Sequence, residues 1–172
     1  GGRLELQIGD TVVVPVMGVG IVDANEEVDV GDGMVSAFRI DMGEDEGTFW
    51  IPVAQLGSQG LRVPIAKEHL ALLWTTLSEQ VVPKNRENWN RRRMRFDEML
   101  ASNEPLQLAA LIGELMAVQA DKRTRKQVLS FGERQLLDKT QDLLAAELAV
   151  TLDRPVADVR DEIGRRSPGN EG

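Results

Sequence analysis

The feature that most constrains the fold of this chain is a change of residue pattern near residue 65. Before it, short runs of β-branched and apolar residues are separated by glycine and proline, which is typical of strands joined by tight turns. After it, apolar residues recur with the spacing of amphipathic helices. The pattern predicts an α+β protein with a small β-barrel over residues 1–65, an all-α helical domain over residues 66–165 and a flexible tail over residues 166–172.

Four short strands are predicted in the first part of the chain. They are separated by turn residues such as Pro15 and Gly18 and by the acidic segment Gly43–Gly47. Because no helical segment lies between them, they favour a strongly bent barrel. The predicted strands are Thr11–Val14, Gly20–Asp23, Met34–Met42 and Thr48–Val53.

The second part is predicted to consist of helices. Asn88 is a favourable N-cap, and Ser130 followed by Glu133 forms a capping-box pattern. The first helical pattern runs from Ala66 onward and includes His69, which we interpret as a core or surface residue. The other predicted helices are Trp89–Ala101, Pro105–Gln119, Phe131–Leu152 and Pro155–Ile163.

The charge of the chain is unevenly distributed. Residues 1–65 carry three cations and eleven carboxylates, whereas residues 66–172 carry seventeen of each sign. Within the second part, residues 84–95 hold six cations and one acid. Screening limits the influence of distant charges to about 10 Å, so a chain of net charge −8 can still present a basic face to a polyanion. A second basic run, residues 122–126, is interpreted as a solvated face, with a phosphate contact as the alternative.

Basic residues crowd the first turns of the helix predicted to begin at Trp89. Arginines at this positive end of a helix are unfavourable by about a few tenths of a kcal/mol each, and a phosphate group would relieve the conflict. An aromatic side chain at such a helix start can stack on an unpaired base or wedge between base steps. The alternative is that Trp89 extends the core face formed by Phe96 and Leu100. The predicted DNA-binding residues are Lys84, Arg86, Trp89, Arg91, Arg92, Arg93 and Arg95.

Side-chain alternation also predicts a docking surface on the β-barrel. Phe38, Ile40 and Met42 face one way on their strand, so Arg39 faces the other. On the next strand, Phe49, Ile51 and Val53 form the inward set, and Thr48 and Trp50 point outward. Tryptophan and arginine are enriched at protein interfaces, which favours docking by this surface. The alternative is that Trp50 covers a barrel end or packs on the helical part.

Composition argues against an enzyme. The chain has no cysteine and one histidine, so it offers no thiol nucleophile and no zinc site built from several imidazoles. Gly18 and Gly20 lie in a strand turn without the following helix that a phosphate-binding motif requires. We therefore expect no catalytic residues, no metal and no cofactor. Neither a membrane span nor a signal peptide is visible, so we expect a cytoplasmic protein.

Several motifs resemble one bacterial family. The segment IGDTVVVP from Ile8, followed by GVGIV from Gly18, resembles the opening of the CarD/CdnL transcription regulators, whose first module also occurs in the transcription-repair coupling factor. That factor continues into a helicase, which has no counterpart in this chain. The helical part resembles the helical domain of CarD. The matching segments, in order, are NWNRR from Asn88, LASN from Leu100, SFGER from Ser130 and ELA from Glu147, and the resemblance covers roughly residues 6–152.

The resemblance implies a Tudor-like β module that docks on the RNA polymerase β subunit. It also implies a helical domain at the upstream edge of the melted promoter bubble, where a tryptophan wedges into the minor groove and slows bubble collapse. Trp89 matches this tryptophan, and Arg91 and Arg92 match the basic pair after it. The polymerase-facing strand departs from the family, because Trp50 stands where a basic residue is common and a basic residue near Val28 is missing. The predicted polymerase contacts are Arg39, Thr48, Trp50 and Ile51.

The expected partners are therefore the RNA polymerase β subunit and promoter DNA, the latter bound largely without sequence preference. We expect a monomer that binds no membrane and associates with the nucleoid through RNA polymerase. Stabilisation of the open promoter complex is the expected outcome of the two contacts. The alternative is a protein-only polymerase adaptor, in which the basic helix start binds an acidic protein and never contacts DNA.

Overall fold

The computed structural model describes residues 4–79 and 88–169. The chain divides into two compact units, Gly1–Pro64 and Ile65–Gly172. The described part of the first unit contains a β-sheet, and that of the second contains α-helices. The α+β class predicted from the change of residue pattern is confirmed.

The β unit is a four-stranded antiparallel sheet in the order β1-β2-β3-β4. The strands are β1 (Thr11–Val14), β2 (Gly18–Asp29), β3 (Met34–Asp41) and β4 (Thr48–Pro52). The sheet curls into a Tudor-like half-barrel because one face of each strand buries apolar side chains. This core contains Val12, Val14, Val22, Phe38, Ile40, Met42, Ile51, Leu56 and Leu61.

Two strands differ from their predicted bounds. β2 runs six residues past the predicted end at Asp23, because its polar second half pairs with β3 through the backbone, after a register shift between Val22 and Ala24. β4 ends at Pro52, which has no backbone N–H with which to continue a ladder. Val53 begins a short 3₁₀ turn and is 37% exposed, so the prediction that it faces inward is wrong.

The helical unit contains five α-helices within the described residues. A 3₁₀ turn, Lys67–His69, precedes the first of them, and His69 is exposed. The helices are α1 (Leu70–Ser78), α2 (Trp89–Ala101), α3 (Pro105–Thr124), α4 (Phe131–Leu152) and α5 (Val156–Arg166). Their apolar faces form one core, which includes Leu73, Leu77, Phe96, Leu111, Ile112, Leu115, Leu144, Leu148 and Ile163. None of the helices in the part of the chain that the structure describes is long and apolar enough to cross a membrane.

The last helices are longer than predicted. α3 continues five residues beyond Gln119, and the cations in its last turn interact favourably with the helix dipole. α5 continues to Arg166, and Ser167 is buried with its hydroxyl donating to the Ile163 carbonyl. The predicted flexible tail is therefore wrong for residues 166–169, and the rest of it lies outside the described residues.

Candidate nucleic-acid and protein-docking surfaces

The start of α2 has the electrostatics expected of an anion-binding helix end. The Asn88 side chain accepts a hydrogen bond from the Arg91 backbone N–H at 2.9 Å, which confirms the predicted N-cap. The first turn of α2 contains no acidic residue that would compensate the helix dipole. The backbone dipole and the arginines therefore add to the same positive field at this end.

Trp89 lies at the first position of α2 and is 45% exposed. Phe96, two turns later on the same face, is fully buried in the helical core. The face that Trp89 shares with Phe96 thus extends beyond the core at its N-terminal end. The alternative in which Trp89 is one more core residue does not agree with this exposure, and the indole is accessible to a partner.

The arginines of α2 fall into two groups. Arg91 is exposed and Arg92 is half-buried, and within the described residues neither guanidinium has a hydrogen bond or an ion pair. Arg93 forms an (i, i+4) ion pair with Asp97, with 3.1 Å between Nε and Oδ1. Exposed pairs of this kind contribute little stability, so a phosphate can replace the carboxylate at small cost. Three arginines that are exposed or half-buried thus follow Trp89 within four residues of α2.

Arg95 belongs to a different environment. It donates two hydrogen bonds to the Glu114 carboxylate on α3, one of them 2.7 Å long, and its guanidinium carbon lies 5.1 Å from the Phe96 ring centroid. Arg95 therefore ties α2 to α3, and its predicted contact with DNA stays a prediction. Lys84 and Arg86, also predicted to bind DNA, lie outside the described residues.

The first turn of α4 lies within reach of the Arg93 side chain of α2 and carries an aromatic residue that sequence reasoning missed. A Cβ atom added to Gly132 would come within 3.3 Å of Arg93 Nη1, so the Arg93 side chain reaches this turn. Phe131 directly before it is 78% exposed. Its neighbours three and four residues later, Arg134 and Gln135, are both exposed. The sequence could have indicated this exposure, because polar residues three and four positions after Phe131 place it on the solvent face of α4.

A buried carboxylate fixes this turn of α4. Glu133 Oε1 accepts hydrogen bonds from Lys122 Nζ at 2.7 Å and from the Ser130 backbone N–H at 2.8 Å, and the Ser130 hydroxyl accepts from the Glu133 N–H. Burial alone raises the pKa of Glu133, but these hydrogen bonds and the charge of Lys122 outweigh it and lower the pKa. The predicted capping box is confirmed. In the basic run 122–126, Lys122 is bound to Glu133 and Arg125 to Asp121, so both have roles within the fold.

On the β unit, Arg39 and Trp50 are cross-strand neighbours. Trp50 is 40% exposed, and the Arg39 guanidinium carbon lies 5.7 Å from its ring centroid. Arg39 Nε also donates to Asp23 Oδ1 at 2.6 Å, and this hydrogen bond raises the pKa of Arg39. Thr48 is exposed on the same strand as Trp50. The outward surface predicted from alternation is present, with Arg39 held in place by a carboxylate.

Ile51 is 5% exposed and belongs to the core of the half-barrel. Alternation along β4 turns it inward with Phe49, and its predicted contact with polymerase stays a prediction. Beside it, a groove of about 390 Å³ runs between β4 and the turn after β1, and its walls include Pro15, Met17 and Trp50. Only uncharged residues line this groove among those that the structure describes.

The described residues offer no metal centre. No group of three or more histidine, aspartate or glutamate side chains in residues 4–79 and 88–169 is placed to hold a metal ion. The candidate sites are two surfaces: the indole and arginines at the start of α2, and the Arg39–Trp50 surface of the β unit.

Part of the helical unit matches a known protein family. The family model for the CarD C-terminal domain matches residues 73–163, which is more than half of the chain. The chain belongs to the CarD family. The match includes α2 and the start of α4, so the accessible indole and arginines lie within the CarD domain itself.

A curated relative covers both units. The chain is 26% identical over 148 residues to the protein of Bacillus subtilis (strain 168) named "Putative transcription factor YdeB", a similarity that spans 84% of this chain and 90% of the relative. The alignment is longer than the helical unit, so the relative shares residues of the β unit as well. CarD membership and this relative together support a role in transcription regulation.

Proposed function

We propose that this CarD protein regulates transcription by binding two components of the initiation complex at once. The β unit docks on the RNA polymerase β subunit, and the helical unit binds promoter DNA at the upstream edge of the melted bubble. The protein stabilises the open complex by binding and catalyses no reaction. It acts in the cytoplasm as a monomer that reaches the nucleoid through RNA polymerase.

The observation that carries the DNA contact is the exposed indole beside unpaired guanidiniums at a helix start. Trp89 is accessible, and Arg91 and Arg92 have no partner in the described chain. Arginine favours phosphate through charge and bidentate hydrogen bonding, and an indole favours an unstacked base or a minor-groove step. Phosphate contacts and an apolar wedge carry little base information, so the proposed binding is largely independent of sequence.

Docking through the β unit is supported by the surface around Trp50. Its indole is accessible, the Arg39 guanidinium over its ring is anchored by Asp23, and Thr48 is exposed beside it. A preordered side chain loses less conformational entropy when a partner binds. Since Trp50 stands where a basic residue is common in the family, we propose a contact that depends more on apolar burial than on ion pairs.

The regulatory effect follows from a difference in affinity. A wedge that fits only the distorted edge of the bubble binds the open promoter better than the closed duplex, and only such a difference can shift the equilibrium. If the difference is about 1–2 kcal/mol, the open complex is favoured about 5- to 30-fold. Docking raises the local concentration of the helical unit, so a weak DNA contact is sufficient.

The decisive experiment removes the indole. Trp89→Ala should leave polymerase binding unchanged and shorten the lifetime of the open complex, measured by heparin challenge on a promoter fragment. Val150→Ala is the control, since Val150 is an apolar residue of similar exposure, 43%. It lies in the last turn of α4, roughly 29 Å along the helix from Phe131 in the first turn, the turn that the Arg93 side chain of α2 reaches. Equal lifetimes for Trp89→Ala and the parent would remove the wedge from the mechanism.

Crosslinking separates this function from a protein-only adaptor. A photoreactive group at position 89 should crosslink to promoter DNA near the upstream edge of the bubble in the ternary complex. Crosslinks to protein alone, with none to DNA, would favour the adaptor and contradict the proposed DNA contact.

A further inference from the structure

The end of the β unit is fixed at Arg62. Its backbone N–H donates to the Val13 carbonyl at 3.2 Å, and the Val13 N–H donates to the Arg62 carbonyl at 2.7 Å. These two bonds form an isolated antiparallel bridge to β1, so residue 62 is held to the edge of the sheet.

The helical unit holds the chain again at Ile65. The backbone N–H of Ile65 donates to Glu147 Oε2 at 2.8 Å, and its carbonyl accepts from the Thr151 hydroxyl at 2.7 Å. Glu147 is fully buried, and Ile65 is 8% exposed in the helical core. Both backbone groups of one residue are thus bound by side chains one turn apart on α4.

Only Val63 and Pro64 lie between these two fixed residues. The three Cα–Cα steps from Arg62 to Ile65 span at most about 10 Å even when fully extended. The ring of Pro64 fixes its own φ angle. Val63 is restricted as well, because it precedes a proline and because its side chain is branched at Cβ. The Arg62 side chain also donates to the Val63 carbonyl at 3.2 Å. The covalent joint between the units is short and has few backbone conformations.

We propose that Val63 and Pro64 form a stiff joint that couples polymerase docking to DNA binding. The proposal rests on the proposed function, since it concerns how one contact promotes the other. A short, restricted joint keeps the helical unit at a high effective concentration near the bubble once the β unit is docked. A longer flexible connection would leave each contact intact and weaken their cooperation.

The test lengthens the joint without changing either surface. Eight Gly/Ser residues inserted between Val63 and Pro64 make a ten-residue connection. Effective concentration falls with about the −3/2 power of connection length, so going from two residues to ten lowers it about tenfold. The protein should then lengthen the lifetime of the open complex by a factor about ten times smaller, with one (no effect) as the lower limit. Polymerase binding and affinity for forked DNA, each measured alone, should stay at the parent values. The same insertion between Asp32 and Gly33, in the exposed turn between β2 and β3, is the control.

A second variant keeps the length and removes the stiffness. Replacing Val63 and Pro64 by two glycines should give a smaller loss of lifetime, and no loss would overturn the claim of stiffness. An inserted variant that stabilises the open complex as well as the parent would overturn the coupling. Loss of polymerase or DNA binding by the inserted variant would also overturn it. A parent protein without any effect on lifetime would instead refute the proposed function.

Discussion

Salt dependence distinguishes the arginines that the structure leaves accessible from the one that it uses in the fold. Arg91 and Arg92 have no ion pair among the described residues, whereas Arg95 is bound to the Glu114 carboxylate. We therefore compare the double variant Arg91→Gln/Arg92→Gln with the single variant Arg95→Gln. All three residues are arginines within five positions of α2, so the comparison isolates the effect of the ion pair with Glu114.

The expected magnitudes follow from counterion release. Each phosphate neutralised contributes about 0.9 to the slope of log affinity against log salt on duplex DNA, and about 0.7 on single strands. The double variant should therefore reduce the slope by about 1.4 to 1.8 units. Arg95→Gln should leave the slope unchanged and instead destabilise the fold by about 1–3 kcal/mol, because the largely buried Glu114 carboxylate loses two charge-assisted hydrogen bonds.

Fluorescence anisotropy with forked promoter DNA at several salt concentrations measures the slope, and thermal unfolding measures stability. The reasoning is refuted if Arg95→Gln reduces the slope as much as the double variant does. It is also refuted if the double variant leaves the slope of the parent, since those guanidiniums would then contact no phosphate.

Three further predictions concern the helical unit. Gly113→Ala should lower the unfolding temperature, because the new Cβ atom would lie 2.8 Å from the Leu77 carbonyl oxygen, whereas Gly164→Ala, with open space around it, should raise stability by about 0.5–1 kcal/mol. Glu147→Ala should cost about 1–3 kcal/mol in urea unfolding, since it leaves a buried backbone N–H without its acceptor, and Glu147→Gln, which keeps an acceptor, should cost clearly less. A hydrogen bond from Arg154, with a further contribution from Arg166, holds the pKa of Glu162 below its usual range. The ionised Glu162 therefore contributes its full stabilisation above the pKa of the unfolded state, and this stabilisation is lost as the pH falls through the lower pKa of the folded state. Urea unfolding from pH 7 to about pH 3 should show a smaller acid-induced loss for Glu162→Gln, and identical pH profiles would contradict this assignment.

Local signals in the sequence predicted most of the elements. The caps at Asn88 and Ser130 rest on hydrogen bonds within four residues, and both appear as expected. The second half of β2 could not be predicted, because its polar residues form a strand only through pairing with β3. Packing against distant residues also explains the error in the tail, where a Cβ atom added to Gly169 would lie 2.5 Å from the Ala120 Cβ on α3.

The candidate site shows the same division between local and distant information. A sequence reveals how many arginines lie at the start of α2, but not which of them has a carboxylate opposite. Arg95 has Glu114, nineteen residues away, across from it on α3, and no local pattern indicates this pair. Ile51 is different, since alternation along β4 already placed it inward and the resemblance alone suggested a contact.

The uncharged groove beside Trp50 gives the two proposed contacts different responses to the cell's ionic state. Apolar burial changes little when potassium rises during osmotic stress, whereas arginine–phosphate contacts weaken steeply. The protein would then remain bound to polymerase while its affinity for the promoter falls. A change in osmolarity would therefore change the rate of initiation without releasing the regulator.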